Sequence, residues 1–353
     1  MRLFWFVALA ALGILGCDSP NTGLPVATLA PAPDSLHVRF AEITQAAWLG
    51  GERWAVLSPT DRAIAIVDFG AHAVTPLGGS AGKELDRPST LFTLGDTLFI
   101  GDWRMRRTTA WGPDGQLVRS IPVVDLTSGA LPHAEDTAGN LYFEIAPPTR
   151  PDGSGNRDSA AVVRLAPGAA KLDTVARLNP LDLAEVIGEG GRRFERRVFS
   201  GQDLWGVLPD GSVWVARVYH NRVDWRTPDG KVTRGQPLPD RVLEVSRTDR
   251  ELFVRRFPPE LRTTAEQLPF SPIKPPFEAA FTSSGPRVWL EKSIAVSDSS
   301  RRYHLVGQNG QGVQEFRIPG YWTRIMTAGA ATALVAAPDS NGYNLTQAAL
   351  PAH

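Results

Sequence analysis

The sequence predicts an all-β fold: a six-bladed β-propeller of four-stranded antiparallel blades, its ring closed by an N-terminal strand and carrying two partly helical insertions. Two observations lead there. A short cell recurs six times, each a tight turn followed by a strand in which a large apolar residue has β-branched or apolar neighbours, centred on Trp54, Phe99, Tyr142, Trp214, Trp289 and, more weakly, Leu334. Successive centres lie 45, 43, 72, 75 and 45 residues apart. The short spacing fits one propeller blade, and the long ones fit a blade plus an insertion of about 30 residues. Helical repeats of similar length are disfavoured, because the segments alternate with period two and are rich in Val, Ile and aromatic residues.

Composition narrows the function. With 42% hydrophobic residues and 21% charged, the chain buries a core rather than staying disordered. Lys and Arg total 37 against 37 Asp and Glu, which excludes a whole-molecule attraction to nucleic acid. The single cysteine excludes a disulfide framework and a Cys-rich zinc site.

Taken in chain order, Met1-Arg2 and the thirteen residues Leu3 to Leu15 read as a signal peptide, too short to cross about 30 Å of hydrocarbon. Ile14-Leu15-Gly16-Cys17 resembles the lipobox of bacterial lipoproteins. That resemblance implies cleavage after residue 16, acylation of Cys17 and a bacterial cell-envelope location facing the periplasm or the exterior, with membrane lipid as the first partner. Residues 17–35 follow as a Pro-rich tether, and residues 36–353 form the propeller. Leu36, Val38 and Phe40 alternate with His37 and Arg39, making a strand available to complete the last blade, which has only three strands of its own around WTRIMTA, TALVAA and YNLTQAAL. Closing the ring this way leaves no open sheet edge. Deletion through Ser35 is therefore expected to be tolerated, and deletion through Thr44 is not.

Blade four shows the unit plainly: QDLWGVL, PDG, SVWVARVY, HN, RVDWRT, PDG, KVTRGQPL, four strands joined by short turns. Asp114-Gly115, Asp210-Gly211 and Asp229-Gly230 are hairpin signals, since Gly accepts the positive φ such turns need. The segment from Gly78 to Ile121, GGSAGKELDRPSTLFTLGDTLFIGDWRMRRTTAWGPDGQLVRSI, resembles a blade of the NHL-like six-bladed propellers, and residues 36–350 are similar to bacterial six-bladed propeller lipoproteins. That grouping implies a scaffold with no settled activity, and often a charged helical insertion, here RVLEVSRTDRELFVRRF before LPFSPIKPPFEAAF.

Loop lengths single out one face. Connections from strand one to two and three to four are short throughout, whereas Pro147 to Ser159 and the insertions at about 179–201 and 237–276 all rise on the opposite face. Long loops beyond what a scaffold needs are where binding residues concentrate. They are expected to form one contiguous wall beside the channel. Thr248 to Glu251 matches a capping box, so the second insertion is expected to begin a helix there, with Phe253 and Phe257 on one face pinning it down.

Chemistry-bearing motifs are sparse. Gly78-Gly79-Ser80-Ala81-Gly82 spells a nucleophile elbow, but it sits between blades, without the strand–turn–helix setting that motif requires. The six histidines lack metal-ligand spacing, and no phosphate-binding loop is present, so neither a catalytic set, a metal nor a cofactor is expected. Candidates for the ligand face are Asp102, Trp103, Arg104, His133, Asp203, His220 and Glu278, with Trp205 and Trp322 as further aromatics. The function expected is a monomeric binding platform for an envelope protein, peptide or saccharide, without nucleic acid. The alternative is a metal-dependent, lactonase-like hydrolase or lyase with a site at the central channel.

Overall fold

The computed structural model describes residues 23–77, 84–188, 191–283 and 285–351, so Cys17, the expected signal segment and the Gly78 to Gly82 motif lie outside the described residues. Blade one is β3 (Gln45–Trp48), β4 (Arg53–Ser58), β5 (Ala63–Asp68) and β6 (Ala73–Pro76), in that spatial order. Blade two is β7 (Pro88–Leu94), β8 (Thr97–Asp102), β9 (Arg107–Trp111) and β10 (Leu117–Pro122). Blade three is β11 (Ala134–Glu135), β12 (Leu141–Ile145), β13 (Ala161–Leu165) and β14 (Asp173–Arg177). A hairpin of β15 (Leu183–Gly188) and β16 (Gly191–Arg196) precedes blade four: β17 (Leu204–Val207), β18 (Val213–Arg217), β19 (Arg222–Arg226) and β20 (Val232–Thr233). Blade five is β21 (Phe277–Thr282), β22 (Arg287–Lys292), β23 (Ser300–Gly307) and β24 (Gly312–Pro319). Blade six is β25 (Arg324–Ala328), β26 (Thr332–Asp339), β27 (Gly342–Ala349) and the N-terminal strand β2 (Pro31–Val38).

The first strands touch in a closed cycle, β3 to β7, β11, β17, β21, β25 and back to β3, so they line the centre. All six cells fall on the second strand of a blade, and their central residues are at most 2% exposed. Burial is shared between neighbouring blades: Trp214 packs with Val288 and Leu290, Trp289 with Ile325 and Val335, and Trp54 with Leu334 and Leu345. Each blade is stable because the next covers it. Gly206, cross-strand from Trp214, lets the indole lie on the backbone, since a Cβ there would come within 2.6 Å of the ring. The three Asp-Gly turns form as expected, with Gly115, Gly211 and Gly230 at positive φ.

β2 closes the ring antiparallel to β27, burying Leu36 and Val38. The expected tether is shorter than residues 17–35. Pro31 to Ser35 already belong to β2, and β1 (Val26–Thr28) pairs in parallel with β24 as a fifth strand of blade five, while Leu29 enters the core at 2% exposure. The prolines misled because Pro lacks only an N–H donor, and an edge strand tolerates that loss.

The first insertion is a β-hairpin rather than partly helical. β-branched Val186 and Ile187 favour extended backbone, and Gly188 pairs with Gly191 at the end of the ladder. The second insertion is helical, with α1 (Arg247–Arg255) and α2 (Arg262–Glu266), but its cap lies two residues before the expected one. The Ser246 hydroxyl accepts from the Asp249 N–H at 3.1 Å and the Asp249 carboxylate accepts from the Ser246 N–H at 2.9 Å. Asp at the third helical position closes the box as Glu does. Phe253 lies 5.2 Å from Phe257, 5.6 Å from Phe270 and 5.9 Å from Phe199, so it pins α1 to the tail of the hairpin.

Candidate functional site

Strand topology puts the connections from strand two to three, and from one blade to the next, on a single face, and the long elements there touch one another. Phe194 of β16 donates its N–H to the Asp152 carbonyl at 2.6 Å, and Val198 bridges Phe270. The loop of blade three, the hairpin and the helical insertion thus form the contiguous wall that loop lengths implied.

Inside this wall, at the ends of β17 and β21, opens a pocket of about 400 Å³. The hairpin side supplies Arg196, the helical side Arg256, the inner strand Glu278, and the link between blades five and six Tyr321 and Trp322. Trp322 is 52% exposed and stands edge-on to Tyr321 at 4.8 Å between ring centres. Glu291, buried at 1%, accepts from Arg301 at 2.6 Å and from Arg324 at 2.7 Å, and Arg301 also reaches Glu278 at 3.3 Å and the Tyr321 carbonyl at 2.8 Å. Two guanidinium groups on one buried carboxylate fix the wall geometry. Burial pushes the Tyr321 hydroxyl above its ordinary value, so it is a neutral donor.

Arg196 and Arg256 make no ion pair among the described residues. Arg196 donates to the Ser200 hydroxyl and carbonyl and to Gln202, at 2.9 to 3.3 Å. Burial first, and then the Arg157 charge, lower its pKa. The pocket therefore holds positive charge that its own carboxylates do not neutralise.

A second constellation adjoins it between blades three and four. Glu144 accepts from Arg157 Nε at 2.7 Å and Nη2 at 2.9 Å, and from the Trp205 indole at 2.8 Å. Arg157 also donates to the Asp203 carbonyl at 2.9 Å; it is 7% exposed, sits at φ 59, and its Nη1 is buried with no partner among the described residues. His133, exposed beside β11, lies 5.4 Å from the Trp205 ring. The surrounding protein pushes its imidazole below the usual range, with the Glu144 charge pulling the other way.

The anticipated residues divide. Glu278 and Trp322 line the pocket, and His133 and Trp205 lie in the adjoining constellation. Asp102 and Asp203 are wholly buried loop organisers, not ligand groups. Asp102 accepts from the backbone N–H groups of Asp86, Arg87 and Met105 at 2.6 to 2.9 Å, and Asp203 from those of Asn179 and Val218 at 3.0 Å. A short acceptor at a turn is more often needed by the backbone than by a ligand. Trp103 is 66% exposed and Arg104 pairs with Asp86 at 2.8 Å, both on blade two, outside the pocket lining. His220 faces a separate groove between blades three and four. Sequence reasoning missed Glu144, Arg157, Glu291 and Arg301. A signal existed for two of them: Glu144 and Glu291 each stand two residues beyond the cell centre, where the other blades carry Val56, Gly101, Ala216 and Ala336. Among the described residues no group of three or more His, Cys, Asp or Glu side chains is placed to hold a metal ion.

No family model matches the chain, and no curated protein does. Solved structures match along nearly its whole length. A member of the DUF4221 family from Bacteroides vulgatus aligns over 91% of this chain and 97% of its own, at a TM-score of 0.51 and 8% identity. A calcium-binding protein, regucalcin, from Agrobacterium tumefaciens aligns over 93% and 97%, at 0.45 and 10%, and virginiamycin B lyase from Staphylococcus aureus over 88% and 94%, at 0.41 and 10%. At such identities the likeness is one of fold.

Proposed function

We propose that this propeller is a binding protein of the bacterial envelope, held to a membrane through lipidated Cys17, whose mouth pocket takes a short saccharide or peptide. The observation that carries the reading is the pocket itself. Its walls come from both insertions, and it presents an exposed aromatic platform beside two guanidinium groups that pair with no carboxylate among the described residues. Aromatic faces stack on sugar C–H surfaces or on peptide side chains, and guanidinium forks direct hydrogen bonds to the polar rim of such ligands. The site is shaped for selective binding by a rigid scaffold.

A panel of oligosaccharides and peptides titrated against the wild-type chain and a Trp322→Ala, Arg256→Ala variant tests the pocket. Binding in the micromolar range that weakens at least tenfold in the variant is expected, while equal binding by both would remove the pocket from the function. For the anchor, Cys17→Ser is expected to abolish incorporation of a fatty-acid probe, and continued labelling would exclude Cys17.

A further inference from the structure

On the flank of the propeller, between the outer strand of blade three and blade four, lies a second groove of about 430 Å³. Its lining contains five arginines, Arg177, Arg217, Arg222, Arg226 and Arg234, against one acidic residue, Asp224. A chain with equal numbers of basic and acidic residues thus concentrates positive charge here. Asp224 accepts from Arg217 Nε at 3.1 Å and from Arg222 Nε at 2.9 Å, and Asp203 accepts from Arg217 Nη1 at 2.8 Å. Those two arginines are thereby held in fixed orientations. Arg177, Arg226 and Arg234 pair with no carboxylate among the described residues.

Strand geometry spreads these groups along a track. Arg217 lies cross-strand from Arg222, and Arg222, Asp224 and Arg226 alternate on the same side of β19. Four residues of extended chain separate Arg222 from Arg226 by about 13 Å. Arg177 ends β14 and Arg222 begins β19, so both stand at the end of the groove nearest the inserted face, where His220 and Asn179 also line it. Guanidinium groups match oxyanions in a bidentate fork. Charges spaced over such a track suit several oxyanions on one molecule better than a single ion.

We propose that this groove is a second binding site, independent of the mouth pocket, for a saccharide carrying several sulfate or phosphate esters. Three unneutralised guanidinium groups supply the attraction, the two held by Asp224 supply fixed donors, and the buried Val213 and Val215 beneath them exclude water from the floor. Such binding weakens with salt, because each ester contact releases counterions.

The test titrates the full chain with a sulfated hexasaccharide, its desulfated counterpart and inorganic sulfate at two salt concentrations. Arg177 and Arg234 are exposed and tie down no carboxylate, so an Arg177→Ala, Arg234→Ala variant is expected to fold. An Arg192→Ala, Arg193→Ala variant removes the same charge from the hairpin, where Glu185 and Glu195 already pair those arginines. Expected are micromolar binding of the sulfated hexasaccharide alone, at least tenfold loss in the groove variant with a shallower salt dependence, and less than twofold change in the hairpin variant. Equal losses in the two variants would mean diffuse charge and overturn the proposal, as would absence of binding to wild type or equal affinity for the desulfated sugar. Inorganic sulfate binding as tightly as the hexasaccharide would also overturn it, since a single oxyanion would then suffice.

Discussion

Removing the first strand while leaving ring closure intact separates two roles of the N-terminal segment. Deletion through Ala30 takes away β1 and Leu29 but keeps all of β2. Leu29 is 2% exposed among Phe316, Ile318 and Ile325, and its loss costs about 2–3 kcal/mol of apolar burial. Besides the β1–β24 ladder itself, two flanking backbone bonds go with it, from Glu315 N–H to the Pro25 carbonyl and from the Leu29 N–H to the Arg317 carbonyl, both 2.8 Å. At about 1 kcal/mol each, these two alone bring the total to about 4–5 kcal/mol, before the ladder is counted. For a domain of this size that is a fall in Tm of roughly 10 °C. Deletion through Arg39 also removes Leu36 and Val38 and exposes the edge of β27, so it is expected to aggregate or fail to fold. Calorimetry on the full chain, the two truncations and Leu29→Ala provides the comparison. If deletion through Ala30 leaves Tm unchanged, β1 is part of the tether and the core begins at β2.

Two more outcomes are expected. Lys274 Nζ lies 2.6 Å from Asp249, and both side chains are 5% exposed, so Asp249→Ala strands a buried ammonium and costs about 3–5 kcal/mol by denaturant titration. The double change Asp249→Leu, Lys274→Met is expected to recover the buried-charge part of that cost but not the cap that Asp249 gives Ser246, and a cost below about 1 kcal/mol for the single change would show the pair is not buried. Stability is expected to fall in acid. Burial depresses His304, so below its ordinary pKa of 6.5 the unfolded chain binds a proton that the fold refuses. Burial acts against ionised Glu315, but its bonds to His304 and Arg317 outweigh that and hold it at about 2 against 4.5 when unfolded, so on the order of 3 kcal/mol is lost as pH drops from 4.5 towards 2. Thermal melts at pH 8, 6, 5, 4, 3 and 2 check both, with Glu315→Gln expected to remove the lower part of the slope. Greater stability at pH 5 than at pH 7 would contradict the assignment.

The scaffold was legible because its physics is local and repeated. Trp54, Trp214 and Trp289 sit in strands that alternate with period two, and Asp-Gly turns need glycine wherever they occur, so six copies reinforce each other. The site is a product of convergence. Arg157 reaches Glu144 from a loop 13 residues on, Arg324 reaches Glu291 across 33, and Trp205 reaches Glu144 across 61. Nothing in the separate segments announces that they meet. The hairpin was misread because its charges, Arg192, Arg193 and Glu195, suit a solvated helix as well as an exposed strand, and only the pairing of β15 with β16 decides. Asp203 was misassigned because a buried turn acceptor and a ligand-facing carboxylate look the same in one dimension.

The separation of scaffold from binding face is tested most directly by replacing Leu183 to Arg196 with a short Gly-Ser linker and measuring Tm together with affinity for the tightest ligand of the panel. Of the described hairpin side chains only Ala184 is buried, whereas the hairpin carries Arg196 to the pocket. A Tm within about 3 °C of wild type with at least tenfold weaker binding is the predicted result. A Tm loss matching that of Trp214→Ala, or undiminished binding, would show that the hairpin covers the fold or that the function lies elsewhere.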